Sequence, residues 1–314
     1  MELRPFGMTN LRVSQFGLGC ARIGGLFQAT PESYLELIHA AVGEGINFFD
    51  TADMYSQGES EKLLGRGLKG KRGQVIIASK AGYKLPAQRQ LAAIVKPILR
   101  PVIRALGINR EKLKAAVGGQ PSQDFSAAYL QRAVEGSLKR LRTDYLDVFQ
   151  LHSPNALAIE RQEWRPAVEA LQKAGKIRCW GIACDHAPDA ALALQQPGVA
   201  SVQVTVNLVA PQAEETVLPV AREKRVAIIA REVLANGILV KDPASVDLLK
   251  ICQSPEEAAQ RKIQLAEIAA RAQAKGIKVA RMALEHVRDL PGVSVALIGA
   301  RTKEQLLQNL ALLK

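Results

Sequence analysis

Four side chains with acid–base chemistry, Asp50, Tyr55, Lys80 and His152, stand at or just past the ends of short apolar runs. Phe48-Phe49 leads into Asp50, with Tyr55 five residues on; Val75–Ser79 leads into Lys80; Leu146–Gln150 leads through Leu151 into His152. A charge next to a buried strand needs a partner, because burying it alone is costly. One reading is structural: an Asp50–Lys80 ion pair at the rim of a sheet. The other is proton transfer. A tyrosine hydroxyl titrates near pH ~10 and is a poor acid–base group at neutral pH. A nearby ammonium would stabilise its phenolate and lower that value, a carboxylate would hold the ammonium, and a histidine could hydrogen-bond the same substrate oxygen. Convergence of the four from three successive strands favours proton transfer.

The elements that must position them follow from the apolar pattern. Strand-like runs occur at Gln15–Gly19, Asn47–Asp50, Val75–Ser79, Leu146–Gln150, Cys179–Ile182, Ser201–Val204, Val226–Ala230 and Val295–Ile298. Most are continuously apolar, as in strands covered on both faces. Helical stretches lie between most of them. Thr30-Pro31-Glu32 opens one that runs to Val42, Ser126 caps another through Leu141, and Ala167–Ala174 stops at Gly175. Ala213–Lys224, Glu256–Lys275, Val279–Asp289 and Thr302–Leu313 follow, the last with capping-box spacing from Thr302 to Gln305. Eight strands alternating with helices predict an α/β fold, a single (β/α)8 TIM barrel over 1–314. A doubly wound sheet competes through Gly17-Leu18-Gly19, but Arg22 stands where the third glycine belongs and no acid follows at the ribose position. Long loops are expected after strands 3 and 7, at 81–124 and 235–255.

Composition narrows the classes. At 48% hydrophobic and 23% charged residues the chain can bury a full core, and no apolar run reaches the ~20 residues of a bilayer span. No secretory signal is read at the start, so the cytoplasm is the expected compartment. The four cysteines are too scattered for a disulfide framework or a zinc site, and are read as free thiols. The net charge of +12 raises nucleic acid as a partner. Between Lys84 and Lys114, however, eight Lys or Arg face one acid, Glu111, so the excess is local and no nucleic-acid surface is expected. Within that stretch Leu91, Ile94, Val95, Ile98, Leu99, Val102, Ile103 and Leu106 follow helical spacing, interrupted by Pro97 and Pro101. The 81–124 insertion is read as a lid over the barrel mouth in preference to a membrane-adsorbing segment.

Gly45-Ile46-Asn47-Phe48-Phe49-Asp50-Thr51-Ala52-Asp53-Met54-Tyr55, with Gly58-Glu59-Ser60-Glu61 and Leu64-Gly65, resembles the aldo-keto reductase superfamily. So do Ser79-Lys80, Asp144–His152 and Leu297-Ile298-Gly299-Ala300-Arg301, and the likeness runs from about Arg4 to Leu313. The resemblance implies NAD(P)H-dependent carbonyl reduction, or its reverse, without metal. It makes Tyr55 the proton donor, Lys80 and Asp50 its tuning pair, and His152 the group that orients the carbonyl. On the cofactor side it implies Gln203 at the carboxamide, Leu234 and Gly237 around the pyrophosphate, and Gly299, Arg301, Gln305 and Asn309 towards the adenosine end. An arginine such as Arg301 suits a 2′-phosphate, so NADPH is expected, with NADH as the other candidate.

Three departures bear on the site. Ala183-Cys184-Asp185 replaces the Ser-Asn that often grips the carboxamide, Arg231 stands where an aromatic often stacks on the nicotinamide, and Cys20-Ala21 replaces a large aromatic. With aromatics only 4% of the chain, the expected substrate is a small polar carbonyl compound or sugar. Two other functions stay open: an NAD-dependent aldose dehydrogenase, and a nicotinamide-binding regulatory subunit. His39 and His286 read as helix residues outside the site, and His186 as a mouth residue. No metal-ligand pair, GxSxG elbow or P-loop is present. Monomer and homo-oligomer stay open.

Overall fold

The computed structural model describes residues 1–24, 30–84, 122–242 and 245–314. Eight parallel strands close into a barrel: β1 (Phe16–Gly19), β2 (Phe48–Asp50), β3 (Ile76–Ala81), β4 (Leu146–His152), β5 (Ile177–Ala183), β6 (Ser201–Thr205), β7 (Ala227–Arg231) and β8 (Val293–Gly299). Each pairs with its neighbours in sequence, and β8 closes on β1. All eight expected strands are present. Several are longer than expected, so Lys80 lies within β3 and His152 is the last residue of β4.

Alternation along the strands separates two apolar layers. Phe49, Ile77, Phe149, Trp180 and Ile182 join the layer between barrel and helices. Phe48, Ala78, Val148, Ile229 and Val295 form the inner cluster with Phe6, Leu11 and Val13 of an N-terminal hairpin (Leu3–Pro5 with Arg12–Ser14). The same inward parity carried two residues further places Asp50, Lys80 and Gln150 beyond that plug, and the parity of β6 adds Gln203. Gly181 permits the approach of β5 to β6, since a Cβ there would stand 2.4 Å from the Ser201 carbonyl oxygen.

The helices begin where their caps require. The Thr30 hydroxyl accepts from the Ser33 amide ahead of Pro31–Gly43, and Ser126 does the same for Tyr129 ahead of Ala127–Leu141. Gly175, at φ +69°, follows Arg165–Lys173 in the left-handed conformation expected of it. At the last helix, Lys303–Ala311, Thr302 caps the Gln305 amide, but the Gln305 side chain accepts from Arg301 rather than from the cap residue itself. The single helix expected over 213–224 is two, Gln212–Thr216 and Leu218–Glu223. Pro219 explains the break: it has no amide proton for the preceding turn. Three short helices had not been expected, Glu59–Gly67, Ala156–Arg161 and Ala187–Ala193.

The loop after β7 contains short 3-10 segments at Ala235–Val240, which is kinked at Asn236 and Gly237, and at Leu248–Lys250, ahead of the helix Pro255–Ala274. Of the insertion after β3 only the root is described, Tyr83–Lys84 paired antiparallel with Ser122–Gln123. The expected lid otherwise lies outside the described residues. No described helix is long and apolar enough to cross a membrane.

Candidate active site

The polar end of the barrel interior is built around one buried ion pair. Lys80 and Asp50 are 1% and 4% exposed, and Lys80 Nζ donates to Asp50 Oδ1 and Oδ2 at 2.8 and 2.7 Å. It also donates to the Thr51 carbonyl at 2.9 Å and reaches the Tyr55 hydroxyl at 3.4 Å. The structural reading therefore holds: the ion pair exists, and the Tyr55 phenol sits on it. Asp50 Oδ1 accepts two further bonds, from Gln203 Nε2 at 2.9 Å and Gln150 Nε2 at 3.3 Å.

Tyr55 is aimed by the turn that follows it. Ser56, Gln57 and Gly58 all have positive φ, at +51°, +64° and +82°, conformations that cost energy for residues with side chains. Ser56 Oγ donates to the Ile23 carbonyl, and Ser60 Oγ bonds both Thr51 Oγ1 and the Cys20 carbonyl, which ties this turn to the ends of β1 and β2. The Tyr55 ring meets the His152 ring edge-on, with centroids 5.7 Å apart. Tyr83 approaches His152 from another side at 5.0 Å.

The electrostatics depart from the simple expectation at one point. Burial raises the Tyr55 phenol above its ordinary value; Lys80 pulls it down, Asp50 pushes it up, and the net direction is upward. The ammonium alone would lower it, but Asp50 on the same nitrogen cancels much of its field, and desolvation wins. Burial also works against the Lys80 ammonium, yet Asp50 and Tyr55 hold it above an ordinary lysine. His152 is driven well below the usual histidine value by burial first, then by the positive charges of Lys80 and Arg231. At neutral pH the pocket thus holds a protonated phenol, an ammonium and a neutral imidazole. His152 Nδ1 is buried with no hydrogen-bond partner. An unpaired lone pair there costs less than an unpaired N–H, so the proton belongs on Nε2.

The remaining candidates fall on the next sector of the rim, on or after β6, β7 and β8. Gln203 is brought to the site, though its amide nitrogen is spent on Asp50. Arg231 also reaches it, but its guanidinium is tied to Asp185, Glu232 and the Cys184 carbonyl, each within 3.2 Å, which fixes it between the ends of β5 and β7. Leu234 and Gly237 lie in the loop after β7, Gly237 at φ +94°. A Cβ on Gly237 or Gly299 would meet nothing within 4 Å, so both face open space. Arg301 is exposed, and its guanidinium makes no hydrogen bond or ion pair among the described residues. Gln305 is bonded to the Arg301 amide, and Asn309 lies one turn further along the same helix. Open glycine backbone followed by an unpaired arginine fits a phosphate-bearing dinucleotide. His39 and His186 are exposed, and His286 pairs with Glu214 at 2.8 Å outside the site. The four cysteines are free, and no described group of His, Cys, Asp or Glu could hold a metal.

Gln150 and Tyr83 were not expected in the site. Period-2 parity would have found Gln150, two residues before His152 on one strand face. Nothing local marks Tyr83.

The Aldo/keto reductase family model matches residues 15–314. The uncharacterized oxidoreductase YqkF of Bacillus subtilis is 27% identical over 99% of this chain and 90% of its own. The L-galactose dehydrogenase of Arabidopsis thaliana is 27% identical over 99% and 88%. Among solved structures, the glycerol dehydrogenase AKR11B4 from Gluconobacter oxydans superposes with a TM-score of 0.75 at 25% identity, covering 97% of this chain and 87% of that one. The aldo/keto reductase from Klebsiella pneumoniae in complex with NADP and acetate gives 0.67 at 26% identity, covering 96% and 87%.

Proposed function

Because the chain belongs to the aldo/keto reductase family, whose members are oxidoreductases, we propose that it reduces aldehydes or ketones to alcohols with NADPH, as a single catalytic domain. The observation that carries this reading is the Tyr55 hydroxyl seated 3.4 Å from Lys80 Nζ on the Lys80–Asp50 pair, with its ring edge-on to His152. When bound, the dinucleotide supplies a hydride to the carbonyl carbon. His152 Nε2–H hydrogen-bonds the carbonyl oxygen and sets its orientation. Tyr55 gives its proton to that oxygen as negative charge develops there. Lys80 then faces a phenolate, and Asp50 keeps the ammonium in place.

Gly237, Gly299, Arg301, Gln305 and Asn309 would hold the phosphate and adenosine portions, and Gln203 and Arg231 would meet the nicotinamide end. Arg301→Ala should weaken NADPH binding by roughly ten- to a hundredfold, the worth of one charge-assisted contact, and NADH far less. Dissociation constants for both cofactors check this, and equal losses for the two refute the assignment.

Two of the relatives reported above are named as dehydrogenases, so the oxidative direction is a second reading. It requires Tyr55 as a phenolate, and the upward shift of the phenol weighs against that state at neutral pH. A panel of aldehydes, ketones and aldoses, followed by cofactor consumption with NADPH and with NADH, separates the readings. Reduction with NADPH is expected. Turnover of aldoses with NAD alone would favour the dehydrogenase, and cofactor binding without turnover the regulatory subunit.

A further inference from the structure

Behind Tyr55 lies a second group of titratable side chains that the proposed reaction does not use. Asp53 is anchored at its amide by the Lys80 carbonyl of β3, at 3.0 Å. Its carboxyl group faces Glu61 of helix Glu59–Gly67 and both Tyr129 and Arg140 of helix Ala127–Leu141. Among the described residues the cation near it, Arg140, is committed elsewhere: Arg140 Nε bonds Glu61 Oε2 at 2.6 Å, while Ser79 Oγ bonds the other Glu61 oxygen at 2.6 Å. Asp53 has no ion pair among the described residues, and its Oδ1 is buried without a hydrogen-bond partner. Its Oδ2 lies 3.3 Å from the Tyr129 hydroxyl, which lies 2.8 Å from the Tyr83 carbonyl oxygen. Tyr83 is the residue whose ring stands edge-on to His152.

A phenol has one proton to give. With Asp53 ionised, its carboxylate and the Tyr83 carbonyl compete for that proton. With Asp53 protonated, the carboxyl O–H on Oδ2 donates to the Tyr129 oxygen and Tyr129 donates to Tyr83, so the two acceptors no longer compete for one proton. The short distance to the carbonyl and the longer one to the carboxyl group match this second arrangement. We propose that Asp53 and Tyr129 are positioning residues for the carbonyl pocket: they hold the Tyr83 main chain, and through it the ring beside His152. The proposal rests on the reading of Tyr55 and His152 as the groups that meet the substrate carbonyl.

Burial, and then the like charge of Glu61, raise Asp53 to about 7 against the pull of Arg140, the Met54 amide and Tyr129. Burial and then Asp53 keep the Tyr129 phenol above its ordinary value, so its proton stays in place throughout. Tyr55 and Lys80 are shifted up and His152 down, away from this range. As pH rises through neutrality Asp53 ionises, the Tyr129 O–H turns its hydrogen bond to the carboxylate, and the Tyr83 carbonyl is released.

The test compares wild type, Asp53→Asn and Tyr129→Phe in steady-state reduction of one aldehyde at saturating NADPH, on both sides of neutrality. Wild-type KM should rise about three- to tenfold above neutrality with kcat nearly constant, the size of one neutral hydrogen bond. In Asp53→Asn the amide donates to Tyr129 at every pH, so KM should stay low and flat. Tyr129→Phe should give a high, flat KM, and NADPH affinity should not change in either variant. A wild-type pH profile in Asp53→Asn, or a wild-type KM in Tyr129→Phe, overturns the proposal. Urea unfolding of the free protein supplies a readout that needs no turnover. An aspartate raised in the folded state costs stability as pH rises from its unfolded value near ~4. The wild-type midpoint should therefore fall relative to Asp53→Asn between there and neutrality; a constant difference overturns the titration. If Tyr55→Phe keeps full activity, the underlying reading of the site fails instead, which this unfolding comparison does not depend on.

Discussion

Tyr55→Phe is expected to lower carbonyl reduction by ~10²–10⁴-fold or more, the contribution of a positioned general acid, while leaving NADPH affinity unchanged. The substitution removes a single hydroxyl. The Lys80 ammonium keeps its three shorter contacts, to both oxygens of Asp50 and to the Thr51 carbonyl, because the bond to Tyr55 is its longest, at 3.4 Å. The ring keeps its place against His152. The fold and the cofactor residues on β6–β8 are therefore untouched, and the loss should appear in kcat rather than in cofactor binding. A variant that reduces aldehydes at near wild-type rate would show that the proton comes from elsewhere.

The second large effect is on stability. Lys80→Met leaves the Asp50 carboxylate buried, with the amide groups of Gln150 and Gln203 as its remaining side-chain partners among the described residues. Removing one partner of a buried ion pair typically costs about 3–5 kcal/mol, because the remaining charge has lost both water and counter-ion. Urea unfolding should show that loss. The double variant Asp50→Asn, Lys80→Met should recover a large part of it, since no charge is then stranded, while remaining inactive. If Lys80→Met unfolds at the wild-type midpoint, the pair is not the buried charge described here. The pH dependence follows from the direction of the shift. Lys80 is held above an ordinary lysine, so the folded state binds its proton more tightly than the unfolded chain does. The stabilisation is complete below the unfolded value near ~10.4 and disappears only as pH climbs through the folded value. Wild type should lose stability in that alkaline window, and Lys80→Met should not show this component.

Much of this was legible in the sequence because barrels make strand ends special. Eight apolar runs gave eight strands, and Asp50, Tyr55, Lys80 and His152 converge because β2, β3 and β4 are neighbours in the sheet as well as in the chain. What could not be read were quantities set by depth and register. The phenol's direction depends first on how deeply it is buried, and then on how completely Asp50 answers Lys80 with two oxygens on one nitrogen. Gln203 sits on Asp50, and Arg231 between Asp185 and Glu232, because of which residues face each other across strands far apart in sequence. The second row behind Tyr55 was invisible for the same reason. Asp53 and Tyr129 are 76 residues apart, and nothing local in either sequence marks the contact. The break at Pro219 was written in the chain, since a proline inside a helical pattern removes a donor; the apolar periodicity on both sides masked it.

The central claim is that Tyr55 enters the reaction as a protonated acid held on a buried ammonium. The pH dependence of kcat/KM, measured on one enzyme for aldehyde reduction and for oxidation of the corresponding alcohol, tests it most directly. Any neutral-range change in KM is assigned beforehand from Asp53→Asn. Reduction should carry no limb from Tyr55 through neutrality and should decline only at alkaline pH, as the phenol loses its proton. Oxidation should climb across that same alkaline range and vanish in Tyr55→Phe. Reduction that climbs with pH, or a pair of profiles that Tyr55→Phe leaves unchanged, would contradict the account.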